Sequence, residues 1–444
     1  MAKRRRPTDI VPHPELDMFT HYMIQNSVEQ ELNLELCPLS ALDSKSFLEF
    51  EYQSGADEYI RLHKTVLHLR MRIIIDKHME GKVELKDWDN VSTCNNLLNS
   101  LFKQLEFYIG DRLINTSYQT YPYKTYLEKM LGKSGDIKKS LAELGFWFET
   151  PAVDDTQLTQ PKPFIKPEQG ANPAEGREFE LIGKIHIPMF EQRKTALLAG
   201  CKLKLKFVPN DWDFYVKMPT SLKLKSVDFT KCRLYLQGHK CPRYIVEGIN
   251  MNLAPPRVVT YNLLENFVVP HTIPSGTMDT PLDPVFTGQV PRRVFVMFVD
   301  HRAYNGSHLL NPYNFQNFGV NYLALYVNGN PVPGPPKTPN FQKGWYSKEY
   351  YDLFEVTNQD NMDTCITLTK ENFVKGNNIF CFRCEPDTAP FGPGVINPIK
   401  QGVLRLQVRF DAPLKQAITC LVYLEFNTVL GITSERTVVY DYNI

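Results

Sequence analysis

Residues 202–207 alternate without a break, Lys-Leu-Lys-Leu-Lys-Phe, and the same period returns as Ser-Leu-Lys-Leu-Lys at 221–225 and Leu-Arg-Leu-Gln-Val-Arg-Phe at 404–410. Side chains two residues apart share one face of a strand, so each segment can bury its apolar side and leave its basic side wet. Leu67, Leu69, Met71, Ile73 and Ile75, opposed by His68, Arg70 and Arg72, read the same way. A second kind of segment is apolar at nearly every position: 294–299, 323–327, 379–382 and 418–426. Such runs predict strands inside a sandwich. Helical patterns are short, at 97–105, 124–131 and 348–354, and none can organise a domain.

The order of these signals matters as much as their kind. In the first half, Leu105-Glu106-Phe107-Tyr108-Ile109 leads into a Gly110-Asp111 turn, then Tyr121-Pro122-Tyr123 and a short helical pattern ending at Leu131. In the second, Leu323-Ala324-Leu325-Tyr326-Val327 leads into Asn328-Gly329, then Trp345-Tyr346 and a pattern ending at Phe354. Gly200 then precedes the alternation at 202–207 as Gly402 precedes that at 404–410. This period far exceeds that of a solenoid and implies two domains of one kind. With 444 residues available, each half has the size of a sandwich of about eight strands, the jelly-roll class. The expected fold is therefore all-β: two tandem jelly-roll β-sandwiches with a few short helices in loops. The expected division is a basic, flexible N-terminal tail at 1–30, a first jelly roll at 31–228 and a second at 229–444.

Composition narrows the function. Lys and Arg number 50 against 49 Asp and Glu, a net charge of +1, so no global field draws the chain to nucleic acid or an anionic membrane. The 22 Tyr, 27 Phe and 32 Pro favour strands joined by stiffened loops, with Pro clustered at 150–177 and 331–339. No apolar run approaches the ~20 residues that span a bilayer. The basic start has no apolar stretch behind it, which predicts no signal peptide. The nine cysteines are expected as free, buried thiols of a reducing compartment.

Chemical motifs are weak throughout. Gly132-Lys133-Ser134 resembles the end of a phosphate loop, but Leu127 stands where that loop needs glycine. Cys381-Phe382-Arg383-Cys384 has metal spacing without a second ligand pair, and on a strand its thiols face opposite sides. His63 and His68, an odd number of residues apart, likewise point apart if both lie on one strand. Asp300-His301 and Ser307-His308 offer nucleophile and base types, yet Asn305-Gly306-Ser307 reads as a tight turn. No catalytic residue, metal ligand set or cofactor site is expected. Lys3, Arg4, Arg5 and Arg6 form a basic cluster suited to nuclear import or a local DNA contact, or simply to a solvated tail. The lysine faces near 202–225 could carry phosphate, though solvated strand faces are commoner.

The block Gly288-Gln289-Val290-Pro291-Arg292-Arg293, Val299-Asp300, Asn305-Gly306-Ser307, Asn311-Pro312-Tyr313-Asn314-Phe315 and 323–329 resembles the major capsid (hexon) proteins of Polinton/Maverick elements and the related adintoviruses. Tyr121-Pro122-Tyr123-Lys124-Thr125-Tyr126-Leu127-Glu128 and the ending from Ile399 to Phe426 are similar to the same family, so the likeness spans about residues 35 to 430 in order. The resemblance implies a double jelly-roll capsid protein, three copies of which form a pseudo-hexagonal capsomer that tiles an icosahedral shell around double-stranded DNA. It further implies neighbouring capsomers and a minor (penton) protein as partners, non-specific contact with packaged DNA, no membrane, and residence in the virion after assembly in the host cell, expected in the nucleus. The Pro-rich loops at 150–177 and 331–345 are candidate intersubunit or outer surfaces. A carbohydrate-binding sandwich recognition module, non-viral or domesticated, is the alternative; a sandwich-fold enzyme is a weaker third reading.

Overall fold

Each alternating segment forms a strand with one buried face, because a pleated strand of that pattern can only satisfy its apolar side against a second sheet. The computed structural model describes residues 25–78, 82–116, 119–132, 138, 140–148, 165–168, 171–360, 366–387 and 397–440. In chain order the first half carries β1 (Gln30–Leu36), β2 (Leu48–Gln53), β3 (Glu58–Ile60), β4 (Val66–Lys77), β5 (Ser92–Thr93), β6 (Phe102–Ile109), β7 (Arg112–Thr116), β8 (Glu178–Lys184), β9 (Lys202–Pro209), β10 (Val216–Lys217) and β11 (Leu222–Lys240). The second carries β12 (Val259–Ile273), β13 (Asp279–Gln289), β14 (Arg293–Asp300), β15 (Val320–Val327), β16 (Asn330–Lys337), β17 (Phe380–Arg383), β18 (Gln401–Phe410), β19 (Ile418–Ile432) and β20 (Val438–Tyr440).

The first half pairs β1-β11-β4-β8 in one sheet and β2-β9-β6-β7 in the other. The second pairs β12-β19-β14-β17 and β13-β18-β15-β16. Setting aside the short strands β3, β5, β10 and β20, both halves have the same antiparallel order: first-last-third-sixth facing second-seventh-fourth-fifth. That is the jelly roll, twice. The matched sequence segments occupy equivalent places: β6 and β15 are each the fourth strand, β9 and β18 the seventh. The helices Tyr121–Gly132 and Ser347–Thr357 both lie between the fifth and sixth strands. At the β15–β16 turn, Asn328 and Gly329 both take positive φ (50° and 82°), the conformation a two-residue hairpin needs.

Three expectations need correction. The helical pattern at 97–105 is helical only over Leu97–Ser100; from Phe102 the chain pairs with β9, and sheet pairing overrides local propensity. The boundary drawn at 228/229 falls inside β11, which pairs with β4 and β1 through Lys240. It passes as a single strand through two bulges, which hide its length from any pattern of strict period two. Finally, Pro331, Pro333, Pro335 and Pro336 lie on the edge strand β16 rather than in a loop, where a missing N–H breaks no ladder. Much of the other Pro-rich stretch, 149–164 and 169–170, lies outside the described residues.

Burial explains the continuous apolar runs. On β14, Val294, Val296 and Phe298 join the core between the two sheets of the second sandwich. Phe295, Met297 and Val299 belong instead to the cluster that fills the first sandwich. Strand β19 divides the same way, with Val422 and Leu424 in the one cluster and Leu421 and Tyr423 in the other. The counterpart of β14 in the first half, β4, is apolar on one face only; His68 and Arg70 on the other meet Glu180. The second sandwich therefore lays the outer face of one sheet against the first. Phe295→Ala and Phe298→Ala are each expected to lower stability by about 3–5 kcal/mol in urea unfolding, because both faces of β14 are interior.

Candidate functional site

The helix Tyr121–Gly132 sits in this seam, and ten of its twelve residues are buried, including Lys124 and Lys129. An ordinary surface helix would keep a polar face in water. Here the polar groups find partners inside instead: the Lys129 ammonium donates to Asn96 Oδ1 at 2.6 Å, and the Tyr121 hydroxyl to Asn99 Oδ1 at 3.1 Å. Glu128 accepts from Asn266 Nδ2 at 2.8 Å, across the seam on β12. Such partners let Lys129 and Glu128 lie at a buried interface, whereas the Lys124 ammonium has only the Glu128 carboxylate at 4.0 Å.

Aromatic rings interlock beside the helix. Tyr126 stacks on Tyr313 with centroids 4.2 Å apart and planes 5° from parallel, and Phe315 meets Tyr126 edge-on at 5.8 Å. Tyr123 stacks on Tyr304 at 5.7 Å and meets Phe214 edge-on at 5.8 Å. The Tyr313 hydroxyl reaches Ser100 Oγ at 2.6 Å. Burial pushes the Tyr123 and Tyr313 phenols well above their ordinary range. Two of the segments quoted for the resemblance, 121–128 and 311–315, are thus packed against each other across the seam.

A polar strap closes one end. Lys217 Nζ donates to the carbonyl oxygens of Asp213, at 3.1 Å, and of Ser307 in the second sandwich, at 2.6 Å. His308 Nδ1 donates to Val216 O at 2.8 Å, while Met218 N–H donates to His308 O at 3.1 Å. Burial lowers the Lys217 pKa to about 8.

Beside the helix lies an ionic cluster. His186 Nδ1 is 3.0 Å from Glu128 Oε2, and Lys124 Nζ is 4.0 Å from Glu128 Oε1. Burial opposes ionisation of Glu128, but Lys124 and His186 outweigh it and its pKa falls. Glu265 goes the other way, raised by burial that Lys124 and a bond to Thr428 only partly offset. Arg293 pairs with Glu425, and a cavity of about 180 Å³ opens between Glu128, Glu191, Asn266 and Glu425.

The residues singled out in the sequence fall elsewhere. Lys3, Arg4, Arg5 and Arg6 lie outside the described residues, as do Lys133 and Ser134. Cys381 packs in the seam cluster while Cys384 packs against the core of the second sandwich, so the two thiols do face apart. His63 lies on a short turn, Leu62–Lys64, and His68 on β4. The Ser307 hydroxyl accepts from Leu309 N–H, and His301 bonds Thr419 and Asn305; these are turn and cap roles, not a nucleophile and its base. The lysine face of β9 is answered by carboxylates on neighbouring strands, Lys202 by Glu51 and Lys204 by Glu49, which leaves it poorly suited to phosphate. The Glu128, His186 and Glu191 cluster was missed because nothing in its sequence spacing joins these three residues. Among the described residues no helix is long and apolar enough to cross a membrane.

Fold and seam together define a double jelly-roll protein. Its backbone superposes on a chain of the Sputnik virophage structure with a TM-score of 0.65 at 12% identity, covering 98% of this chain and 93% of that one. It superposes on PBCV-1 VP54 at 0.60 and 10%, covering 96% and 100%. For the mavirus major capsid protein the values are 0.58 and 11%, covering 100% and 96%. At such identities the likeness is one of fold. In sequence, the uncharacterized Caenorhabditis elegans protein F54H12.2 is 24% identical over 433 residues, 95% of this chain and 99% of that one. No family model matches.

Two measurements test the seam. Lys217 is neutral in the folded protein above about pH 8 but protonated in the unfolded chain up to its ordinary value of 10.5, so stability should rise as pH climbs through that window, by about 1.4 kcal/mol per unit. Lys217→Met should flatten the rise in pH-dependent denaturation. Glu265 favours its neutral form in the fold, so its contribution is complete below its unfolded pKa and lost as pH rises through the raised folded value. Glu265→Gln should therefore raise the melting temperature at neutral pH, and the gain should vanish toward about pH 4.

Proposed function

We propose that this chain is a structural major capsid protein of a double-stranded DNA virus or virus-like transposon, of the Polinton/Maverick and adintovirus kind. Three copies would form a pseudo-hexagonal capsomer, and capsomers would tile an icosahedral shell. The observation that carries this reading is the duplication itself: two sandwiches of identical strand order, held at a fixed angle by a seam buried as deeply as either core. Three such chains around a threefold axis present six nearly equivalent sides. A flexible linker between the sandwiches would lose that geometry, and the seam removes the flexibility.

Other features agree with the reading. The solved structures of the same fold include major capsid proteins. A net charge of +1 lets copies pack side by side without strong mutual repulsion. Among the described residues the helix Arg243–Asn252 buries none of its side chains and exposes Met251, while the Tyr244 hydroxyl donates to Asn26 O; this exposed surface would suit contact with neighbouring copies. In the same reading Lys3, Arg4, Arg5 and Arg6 serve nuclear import or touch packaged DNA, a penton protein fills the vertices, and the mature location is the virion. No catalytic step belongs to it.

One groove favours carbohydrate recognition as a second reading. A cavity of about 740 Å³ between β16 and the helix Ser347–Thr357 is lined by Trp345, Pro335, Lys337, Glu349, Asp352 and Arg383. Trp345 is 67% exposed there, and an exposed indole beside carboxylates suits a sugar ring. A glycan array on the purified chain would favour it, and the loss of binding in Trp345→Ala would place it.

Light scattering on the full chain decides the capsid reading. The expected mass is three times 51.3 kDa, with hexagonal particles in electron micrographs. A monomer at every concentration would overturn it.

A further inference from the structure

We propose that the seam holds one divalent transition-metal ion between Glu128, His186 and Glu191. One donor atom from each of the three lies within 4.8 Å of the others. Glu128 Oε2 and His186 Nδ1 are 3.0 Å apart and hydrogen-bonded; two donors about 2.1 Å from one tetrahedral ion stand about 3.4 Å apart, so a shift of a few tenths of an ångström turns this pair into two ligands. The set of one imidazole and two carboxylates suits zinc or manganese rather than calcium, which takes oxygen ligands alone.

The surroundings orient these donors as a ligand set requires. Glu128 Oε1 is held by Asn266 Nδ2 at 2.8 Å and approached by Lys124, which turns Oε2 toward the imidazole. Such outer contacts fix a ligating carboxylate and tune its affinity. The backbone N–H of His186 donates to the Tyr121 hydroxyl at 3.3 Å, and Glu191 ends the short turn Pro188–Glu191.

An independent sign of a ligand comes from Asn266. Its Oδ1 is buried, with the residue 6% exposed, and has no hydrogen-bond partner. Asn266 also lines the cavity of about 180 Å³ that borders Glu128 and Glu191. A buried acceptor of this kind calls for a partner, and a water in the cavity, bound to an ion held at its edge by Glu128 and Glu191, would supply the missing donor. The charges are consistent with a cation. Glu128, Glu191 and Glu425 face Lys124 and Arg293; Arg293 is engaged by Glu425, and Lys124 stands at the far oxygen of Glu128. On binding, the ion displaces the proton that joins His186 Nδ1 to Glu128 Oε2; that proton leaves to solvent, and the neutral imidazole keeps its other proton on Nε2 while Nδ1 offers its lone pair to the ion. The ion would staple the Tyr121–Gly132 helix to the chain following β8, against the wall formed by β12. This inference stands apart from the capsid reading, since a staple within the first sandwich, beside the seam, serves any function.

The test uses the full chain stripped of metal with a chelator, with zinc chloride titrated calorimetrically and melting followed with and without zinc. The expected result is one equivalent bound, a higher melting temperature, and affinity at least tenfold weaker in Glu191→Gln, whose site is exposed enough to leave folding intact. Cys37→Ser, which removes the exposed thiol, should leave binding unchanged. The proposal is overturned if the chain takes up no single equivalent of zinc, if Glu191→Gln binds as tightly as the parent, if Cys37→Ser abolishes binding, or if calcium binds as tightly as zinc. His186→Gln adds a second readout: zinc should no longer raise its melting temperature, and a retained rise would also count against the site.

Discussion

Everything in this molecule depends on two strands, β14 and β19, having no outer face. In an isolated sandwich the outside of a sheet is wet, and its residues alternate apolar and polar. Here the outer side of these strands carries Phe295, Met297, Leu421 and Tyr423, which join the hydrophobic cluster of the other sandwich. Exposing that face would cost hydrophobic free energy comparable to opening a core. The two jelly rolls therefore behave as one rigid body rather than as beads on a linker.

Aromatic stacking gives the seam its specificity. Apolar surface alone would tolerate sliding, whereas the parallel Tyr126 and Tyr313 rings and the Tyr313 hydroxyl on Ser100 permit one register. Buried ions act in the same direction. Lys217, bonded to Ser307 O, and Glu128, bonded to Asn266, would each be costly if parted from their partners across the seam, so the seam is either correctly closed or heavily penalised. The angle between the sandwiches is therefore fixed by the seam rather than by the connecting chain.

Much of this was legible in the residues. Alternation at 202–207, 404–410 and 67–75 marks strands because burial of one face is a local consequence of the pleat. The ordered recurrence of strand, turn and helix showed the duplication, and the matching strand orders carry it through. The misreadings share a physical cause. The helical pattern at 97–105 gave way to sheet pairing with β9; the length of β11 was hidden by bulges; and the prolines of 331–336 occupy a sheet edge whose position depends on what pairs beyond it. In each case a distant partner decided the outcome.

The same division separates the whole account. Local pattern by itself determined the all-β class, the strand positions and the two-fold repeat, since each follows from contacts a segment makes with its own neighbours in sequence. It also contained the doubly apolar runs at 294–299 and 418–426, without saying which surface covers them. Only the tertiary structure decided that the cover is the other sandwich, that Tyr126 meets Tyr313, and that Glu128, His186 and Glu191 converge. Tyr126 and Tyr313, and Glu128 and the segment 186–191, lie tens to hundreds of residues apart along the chain, and chain folding in three dimensions, which leaves no periodic trace in sequence, is what brings them together.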